Sequence, residues 1–183
     1  MEVKRDMKLC AGIFTFFFFS CLLSYVLTKA AVLEVLAITF GVTAYHFVMR
    51  FLVGGGFHRL FHNHVDYRKK WFQVSSLEKK FYDRIKIKKW KSHMPTYEQD
   101  FFDVKNHSME EITGAMCQAE LVHETIMMLS FLPVVLARWF SPACVFVLTS
   151  VAAAFIDLLF VMMQRFNRQR MVKLINGKKE YKK

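Results

Sequence analysis

The sequence has little proline and little negative charge. Its 183 residues include three prolines and 15 Asp or Glu, against 26 Lys or Arg, so the formal net charge is +11. Hydrophobic residues make up 54% and lie in blocks, which excludes an ordinary soluble domain. The basic residues flank these blocks and form no single stripe on a soluble domain, so we expect no nucleic acid among the partners.

The sequence also lacks the closely spaced cysteine pairs of redox motifs and zinc sites. The four cysteines, Cys10, Cys21, Cys117 and Cys144, contain no C-x-x-C spacing. Three of them lie in or beside apolar blocks. We therefore expect them to fill apolar space and to form neither a disulfide nor a metal site.

Several catalytic motifs are also absent. The chain has no G-x-S-x-G elbow, no glycine loop for phosphates, and no H-x-x-x-x-D acyltransferase box, since Tyr67 stands five residues after His62. His58, His62 and His64 form one H-x-x-x-H-x-H cluster, without a second histidine box. We expect no metal, and a metal-dependent membrane oxidoreductase built on this cluster is the weaker alternative.

Four apolar blocks are long enough to cross a bilayer, which takes roughly 20 helical residues. They lie at about residues 9–28, 31–53, 121–140 and 143–163. The first is too long for a cleaved signal peptide, and the second should end at the glycines 54–56. Pro133 should bend the third. The sequence therefore predicts a single all-α membrane domain, 1–183, with about four transmembrane helices.

The distribution of Lys and Arg predicts the orientation of these helices. The head, the central segment 54–120 and the basic tail 164–183 carry nearly all of them, and the two short connections hold only Lys29 and Arg138. Four spans bring head, central segment and tail to one side, and the positive-inside rule makes that side the cytoplasm. Both termini should be cytoplasmic.

The basic central segment is rich in aromatic residues, among them Phe101 and Phe102, and should not be a disordered linker. Residues 77–91 mix apolar and basic side chains, as expected at the headgroup level of a membrane. They could form a solvated basic face or hold an anionic substrate such as the phosphates of a carrier. Ser108 and Glu111 have the spacing of a capping box, which predicts the start of a long helix that enters the membrane.

Three polar residues stand where that helix meets the membrane. Glu120, His123 and Glu124 are three and four residues apart, so they share one side of the helix. They could be an interfacial collar that only stabilises packing. They could instead be a general base, His123, with a carboxylate that orients it and raises its basicity.

Two other spans bring polar residues to the same predicted level. Asp157 lies within the fourth span, and an ionisable group at that depth is a functional candidate that needs a partner. His46, Arg50 or a lysine of the central segment could be that partner. The candidates for substrate binding from these two spans are His46, Arg50, Asp157, Gln164, Arg165, Asn167 and Arg168.

Three short motifs carry a resemblance to a known family. "IKKWK" at 87–91, "AELVH" at 119–123 and "QRFNRQR" at 164–170 stand in the order and spacing of the glycosyl-diaponeurosporenoate acyltransferases. These bacterial membrane enzymes esterify a fatty acyl chain onto the sugar of a glycosylated carotenoid. The resemblance covers about residues 66–175. The positions that match are Lys89, Trp90, Ala119, Glu120, His123, Gln164, Arg165, Asn167, Arg168 and Arg170.

The resemblance implies an integral membrane acyltransferase in a bacterial cell membrane. It would move a fatty acyl group from a thioester, on coenzyme A or acyl carrier protein, to a hydroxyl of a lipid or glycolipid, with no resident cofactor. We assign His123 as the base, Glu120 as the residue that orients it, and Glu124 as the alternative base. Arg165, Arg168 and Lys89 would hold carrier phosphate or the oxyanion. A non-enzymatic lipid-binding or scaffold subunit is the alternative.

Overall fold

The computed structural model describes residues 2–90 and 105–180. Lys91, Phe101 and Phe102 of the central segment, and the last three residues of the tail, lie outside them. The described part is helical and contains no strand. Its elements are α1 (Glu2–Thr28), α2 (Ala31–Phe61), a 3-10 helix (Lys70–Phe72), α3 (Ser76–Arg84), α4 (Ile87–Trp90), α5 (Met109–Leu129), a second 3-10 helix (Leu132–Arg138) and α6 (Ala143–Glu180).

Four helical stretches are long and apolar enough to cross a membrane, namely Val3–Thr28, Ala31–Phe61, Met109–Arg138 and Ala143–Lys178. This agrees with the spans expected from the sequence and confirms an all-α, multi-pass membrane protein. Their apolar side chains face outward in large number, as lipid-facing side chains do. The cytoplasmic location of the segment between α2 and α5 stays a prediction.

Helix α2 does not end at the three glycines where we expect the second span to end. Helix α2 continues through them to Phe61 and ends where His62 and Asn63 take left-handed backbone angles, with φ of 48° and 64°. A glycine lowers helix propensity by about 1 kcal/mol relative to alanine but leaves every backbone hydrogen bond in place. A residue in the left-handed region, in contrast, is the usual way in which a helix ends.

Helix α5 begins and ends as its sequence dictates. Glu111 accepts hydrogen bonds from the Ser108 backbone N–H at 2.8 Å, and its own N–H donates to Ser108 Oγ at 3.2 Å, so the predicted capping box is confirmed. The helix ends at Leu129, because Pro133 has no N–H for the Leu129 carbonyl. Tyr45 Oη donates to that carbonyl instead, at 2.9 Å. The bend expected at Pro133 is therefore a change from α-helix to 3-10 helix.

The chain divides into two compact units. Unit 1 comprises Met1–Gly54 and Thr125–Asp157, and unit 2 comprises Gly55–Glu124 and Leu158–Lys183. In unit 1, α1 packs against α2 through aromatic rings. The rings of Phe14 and Phe47 stack with centroids 5.7 Å apart, and those of Phe17 and Phe40 stack at 5.3 Å. Phe14 and Phe17 of the first span thus have partners on α2, whereas Phe16 and Phe19 are exposed.

Unit 2 has two buried apolar clusters. One contains Val65, Phe72 and Cys117, and the other contains Tyr82, Ile87 and Phe166. Helix α3 begins with a capping box of Ser75 and Glu78, which the sequence shows but which we did not predict. The cores of these clusters hold the 3-10 helix, α3 and α4 against α5 and α6, and so position the polar residues described next.

Candidate active site

The centre of the candidate site is an ion cluster in unit 2, formed by the buried Glu120 and Arg168 and the half-buried Arg165 and Glu78. Glu120 lies on α5 and has no exposed surface. Arg165 Nε donates to its Oε1 at 2.8 Å, and Arg168 Nη1 donates to its Oε2. The two arginines are three residues apart on one side of α6, so both reach the same carboxylate. We call these four residues the Glu120 cluster.

The same arginines also bind the chain before and within α3. Arg165 donates to Glu78 Oε1 and to the Trp71 carbonyl, both at 2.8 Å. Arg168 donates to the Phe72 carbonyl at 2.7 Å, and its guanidinium lies over the Phe72 ring, 5.0 Å from the centroid. The Glu120 cluster therefore connects the first 3-10 helix and α3 to α5 and α6. A buried charge network is stable only when its groups are hydrogen-bonded in this way.

Glu78 and Tyr82 form the outer edge of the cluster. Tyr82 Oη donates to Glu78 Oε1 at 2.5 Å, and Arg165 binds the same oxygen. Burial raises the pKa of Glu78, but these hydrogen bonds outweigh it, so the pKa lies below its ordinary value. Burial, and the hydrogen bond to the Glu78 carboxylate, raise the pKa of Tyr82 above 10.0. Glu78 is thus held as a carboxylate and Tyr82 as a neutral phenol.

His123 and Glu124 lie beside the cluster on α5 and are half-buried, so both can be reached from outside the fold. The His123 ring stacks on Phe160 of α6, with centroids 4.6 Å apart and planes 7° apart. Glu124 Oε2 accepts a hydrogen bond from Trp71 Nε1 at 3.0 Å, and its Oε1 lies 3.9 Å from Arg165 Nη2. This half-buried pair is the part of the site where a substrate could meet a proton acceptor.

The other predicted residues of unit 2 surround this centre. Lys89 is exposed on α4. Trp90 packs against the apolar cluster that contains Tyr82, and its Nε1 donates to the Ile85 carbonyl. Gln164 is buried on α6 and Asn167 is half-buried. Exposed basic residues around Lys89 on the same short stretch, Lys86 and Lys88, give this end of unit 2 a positive surface.

The remaining predicted residues lie in unit 1. Asp157 is buried and pairs with Arg50, one of the three partners that the sequence offered for it. Arg50 Nη1 also donates to the His46 carbonyl at 3.2 Å. His46 is buried, and neither ring nitrogen has a hydrogen-bond partner. A buried polar atom without a partner lowers stability by about 1–3 kcal/mol, so His46 is an unusual feature.

Two of the expected site residues have partners within the protein. Arg168 is 1% exposed and its donors face Glu120 and Phe72. The role expected for it, to hold carrier phosphate or the oxyanion, stays a prediction. Each oxygen of Glu120 accepts from an arginine, whereas we had assigned the carboxylate to orient His123; that role stays a prediction. Sequence reasoning missed Glu78, Trp71 and Phe160, and the Ser75–Glu78 capping box was the only local signal for any of them.

His58, His62 and His64 do not come together as metal ligands. His58 and His62 have ring centroids 6.0 Å apart, and all three are exposed. Within residues 2–90 and 105–180, no group of three or more His, Cys, Asp or Glu side chains could hold a metal ion. The weaker oxidoreductase alternative therefore has no ligand set in the described part of the chain.

Comparison with known proteins finds a family match over the same region of the chain. The family model of glycosyl-4,4'-diaponeurosporenoate acyltransferases matches residues 68–177, which is more than half of the chain. The chain belongs to this family. No curated protein sequence and no solved structure matches it. Membership in this acyltransferase family identifies the general chemistry as acyl transfer in carotenoid biosynthesis.

The three motifs that carry the family resemblance meet in unit 2. Glu120 of the second motif binds Arg165 and Arg168 of the third, and Trp90 of the first packs on the cluster that contains Phe166. Residues far apart in the acyltransferase sequence thus form one local structure. The matched region also includes the elements that carry Glu78 and Trp71, and it ends close to the end of α6.

Proposed function

We propose that the protein transfers a fatty acyl group from a thioester to a hydroxyl of a lipid or glycolipid. The observation that carries the proposal is the position of His123. It is half-buried beside the Glu120 cluster, in the region that matches the acyltransferase family. The family is named for glycosyl-4,4'-diaponeurosporenoate, a glycosylated carotenoid acid, and we propose a glycosylated, membrane-bound acceptor of that kind.

In the proposed reaction, His123 is the general base. An unprotonated ring nitrogen takes the proton of the acceptor hydroxyl while the oxygen attacks the thioester carbonyl carbon. The tetrahedral intermediate collapses with cleavage of the carbon–sulfur bond. The thiolate that leaves takes the proton from the imidazolium, which restores neutral His123. Phe160 positions the ring by stacking, because stacked rings hold a defined plane.

Arg165 is the cation that we propose for the developing oxyanion. Three of its N–H groups are used by Glu120, Glu78 and the Trp71 carbonyl, and a guanidinium has five. Its side chain keeps 18% exposure, and we propose that the remaining N–H groups face the substrate. Because its partners fix the guanidinium in advance, little reorganisation is needed during the reaction.

Exposed lysines in and just before α4 are the proposed contact for the donor. Lys89, with Lys86 and Lys88, offers a positive surface to the phosphates of coenzyme A or of an acyl carrier protein. Both carriers are water-soluble, which requires this surface to face an aqueous compartment. We propose a bacterial cell membrane with both termini in the cytoplasm, as the distribution of Lys and Arg indicates.

The test is acyl transfer by purified protein in lipid vesicles that contain an alkyl glucoside as acceptor and labelled acyl-coenzyme A as donor. Mass spectrometry should detect the glucoside heavier by one acyl chain. We expect His123→Ala to lower the rate at least about a hundredfold, as loss of a general base does. His58→Ala, at an exposed histidine outside the site, is the control. Undiminished transfer by His123→Ala would exclude His123 as the base.

Glu124 is the alternative base in the same assay. Its carboxylate is half-buried and accepts a hydrogen bond from Trp71 Nε1. Trp71→Phe should therefore remove this hydrogen bond and leave the Glu124 carboxylate in place. If Glu124 is the base, Glu124→Gln abolishes transfer and His123→Ala only slows it. If His123 is the base, the order of the two variants is reversed.

One observation favours a non-enzymatic lipid-binding or scaffold protein. The polar groups of the Glu120 cluster bind each other and the backbone, as in a network that only holds helices together. This alternative predicts that the labelled donor is never consumed, with either coenzyme A or acyl carrier protein. It also predicts that His123→Ala leaves the lipid composition of the host membrane unchanged and instead weakens partner binding or the stability of the protein.

A further inference from the structure

We propose that His46, together with the Arg50–Asp157 pair, forms a binding site within unit 1 for an uncharged amphiphile that carries hydroxyl groups. The inference rests on the proposed function only for the view that this amphiphile is the acyl acceptor. The site itself is argued from the residues of unit 1. It differs from the proposed reaction centre, whose residues belong to unit 2.

The first step is the state of the His46 ring. His46 is 5% exposed, and both Nδ1 and Nε2 lack a hydrogen-bond partner. In the described part of the chain, the one other buried side-chain atom without a partner is Ser150 Oγ, which also belongs to unit 1. Most buried polar groups in native proteins have partners, so this ring calls for one.

The second step is the kind of group that would satisfy the ring. A neutral imidazole presents one N–H donor and one acceptor nitrogen. An anion offers only acceptors and an ammonium group only donors, so each leaves one ring nitrogen unpaired. A hydroxyl is both donor and acceptor, and a sugar carries several next to each other. The ring therefore matches a polyol better than an ion.

The third step is the charge beside the ring. Arg50 pairs with the buried Asp157, and its other terminal nitrogen donates to the His46 carbonyl. This contact fixes the arginine to the turn that carries His46. Because the two charges offset each other, the surroundings of the ring are polar but carry no net charge. Such a site favours a neutral head group over a phosphate or a carboxylate.

The fourth step is the route to the site. His46 lies on α2, in a stretch long and apolar enough to cross a membrane, and Val48 and Leu52 of the same helix are exposed. A helix with such side chains borders lipid. A ligand that reaches a buried group there must partition into the bilayer, so the hydroxyls must belong to a molecule with an apolar tail.

The experiment measures binding and needs no turnover. The full chain is placed in phosphatidylcholine nanodiscs with dodecyl glucoside, with permethylated dodecyl glucoside, which has lost its O–H donors, or with free glucose. Of these three compounds, we expect only dodecyl glucoside to raise the unfolding temperature of the wild type. His46→Phe should weaken this binding about tenfold, which corresponds to one or two hydrogen bonds. His46→Gln, which keeps a donor and an acceptor, should restore most of it.

The controls separate a binding role from a merely structural one. Thr43→Val removes a hydroxyl on the same helix that donates to the Thr39 carbonyl, and it should leave binding unchanged. His46→Phe should unfold at the same temperature as the wild type or at a higher one without ligand, since it removes a buried ring with unpaired nitrogens. If it fails to fold, His46→Leu replaces it.

Three outcomes would overturn the inference. They are no shift in the wild type, an equal shift in wild type and His46→Phe, or a shift of the same size with permethylated dodecyl glucoside. An effect of free glucose as large as that of dodecyl glucoside would overturn the membrane route. Acyl transfer by wild-type protein without His46-dependent binding contradicts this inference alone. Binding without acyl transfer from any thioester contradicts the proposed function alone.

Discussion

Arg168 on α6 forms a buried ion pair with Glu120 on α5, and both side chains are almost completely excluded from solvent. Arg165 binds the other oxygen of Glu120. The pair joins two of the three motifs that carry the family resemblance. It gives those motifs a physical meaning, because each supplies one charge of a network that would be unstable with only half of its members.

Glu120→Gln should destabilise the fold severely. The substitution keeps the shape of the side chain but leaves Arg168 buried without a counter-charge, which lowers stability by about 3–5 kcal/mol. Unfolding of the purified protein in mixed micelles measures the loss. Glu110→Gln, at an exposed glutamate of the same helix, is the matched control.

The double variant Glu120→Met, Arg168→Met extends this test. Replacing both partners removes the buried charges together, so we expect the double variant to be more stable than Glu120→Gln. A double variant that loses the sum of the two single effects would show that the pair is not coupled and would contradict the geometry described above.

Gly114 should not tolerate alanine. A Cβ atom there would lie 2.8 Å from the Asn63 carbonyl oxygen and 3.3 Å from that of Val65, both backbone atoms that cannot move aside easily. We expect Gly114→Ala to lower the free energy of unfolding by about 1–3 kcal/mol. Gly177→Ala, also in a helix but with open space around it, should raise it by up to about 1 kcal/mol. Effects of the same sign at both positions would contradict this packing.

Local signals in the sequence predicted the helices well. The four apolar blocks identified the spans, and the Ser108–Glu111 spacing identified the start of α5. The end of helix α2 at Phe61 was not predicted, because the turn at His62 and Asn63 depends on contacts far along the chain. The Asn63 N–H donates to Gln118, and Gly114 lets the turn approach α5 closely. No local pattern within α2 contains that information.

The candidate site was predictable as a set of residues but not as a set of contacts. Spacing placed Glu120, His123 and Glu124 on one side of a helix. It could not show that Arg165 and Arg168 would bind Glu120, because side-chain directions and the packing of α6 decide that. Asp157 is the opposite case: a buried charge must have a partner, and few candidates existed, so Arg50 was among those expected.

Glu78 should make stability depend on pH in the acid range. Its pKa is lower in the folded protein than its ordinary value of 4.5, so the unfolded chain takes up the proton first as the pH falls. The stability that Glu78 contributes is present above about pH 4.5 and is lost as the pH falls toward the lower, folded value. Urea unfolding of wild type and Glu78→Gln across this range should therefore give curves that converge as the pH decreases.

Asp83→Asn is the control for Glu78, because it removes an exposed carboxylate from the same helix, α3. Its curve should stay parallel to that of the wild type. Curves of Glu78→Gln and wild type that remain parallel down to the acid end would mean that the hydrogen bonds from Tyr82 and Arg165 do not hold the carboxylate in the folded state.

The hydroxyl of Tyr45 should contribute to stability because Pro133 lacks an N–H group. The Leu129 carbonyl cannot bond to residue 133, since proline has no N–H, and Tyr45 Oη donates to it at 2.9 Å. We expect Tyr45→Phe to lower the free energy of unfolding by about 0.5–1.5 kcal/mol, the usual contribution of one hydrogen bond, because this bond is partly buried. In a Pro133→Ala background the N–H of residue 133 can take over, so the same substitution should have less than half that effect.

A double-mutant cycle in micelles measures the difference, with Tyr25→Phe on α1 as the control. Equal effects in both backgrounds would mean that the hydroxyl of Tyr45 does not replace the missing helix hydrogen bond, and that α5 ends at Leu129 for another reason.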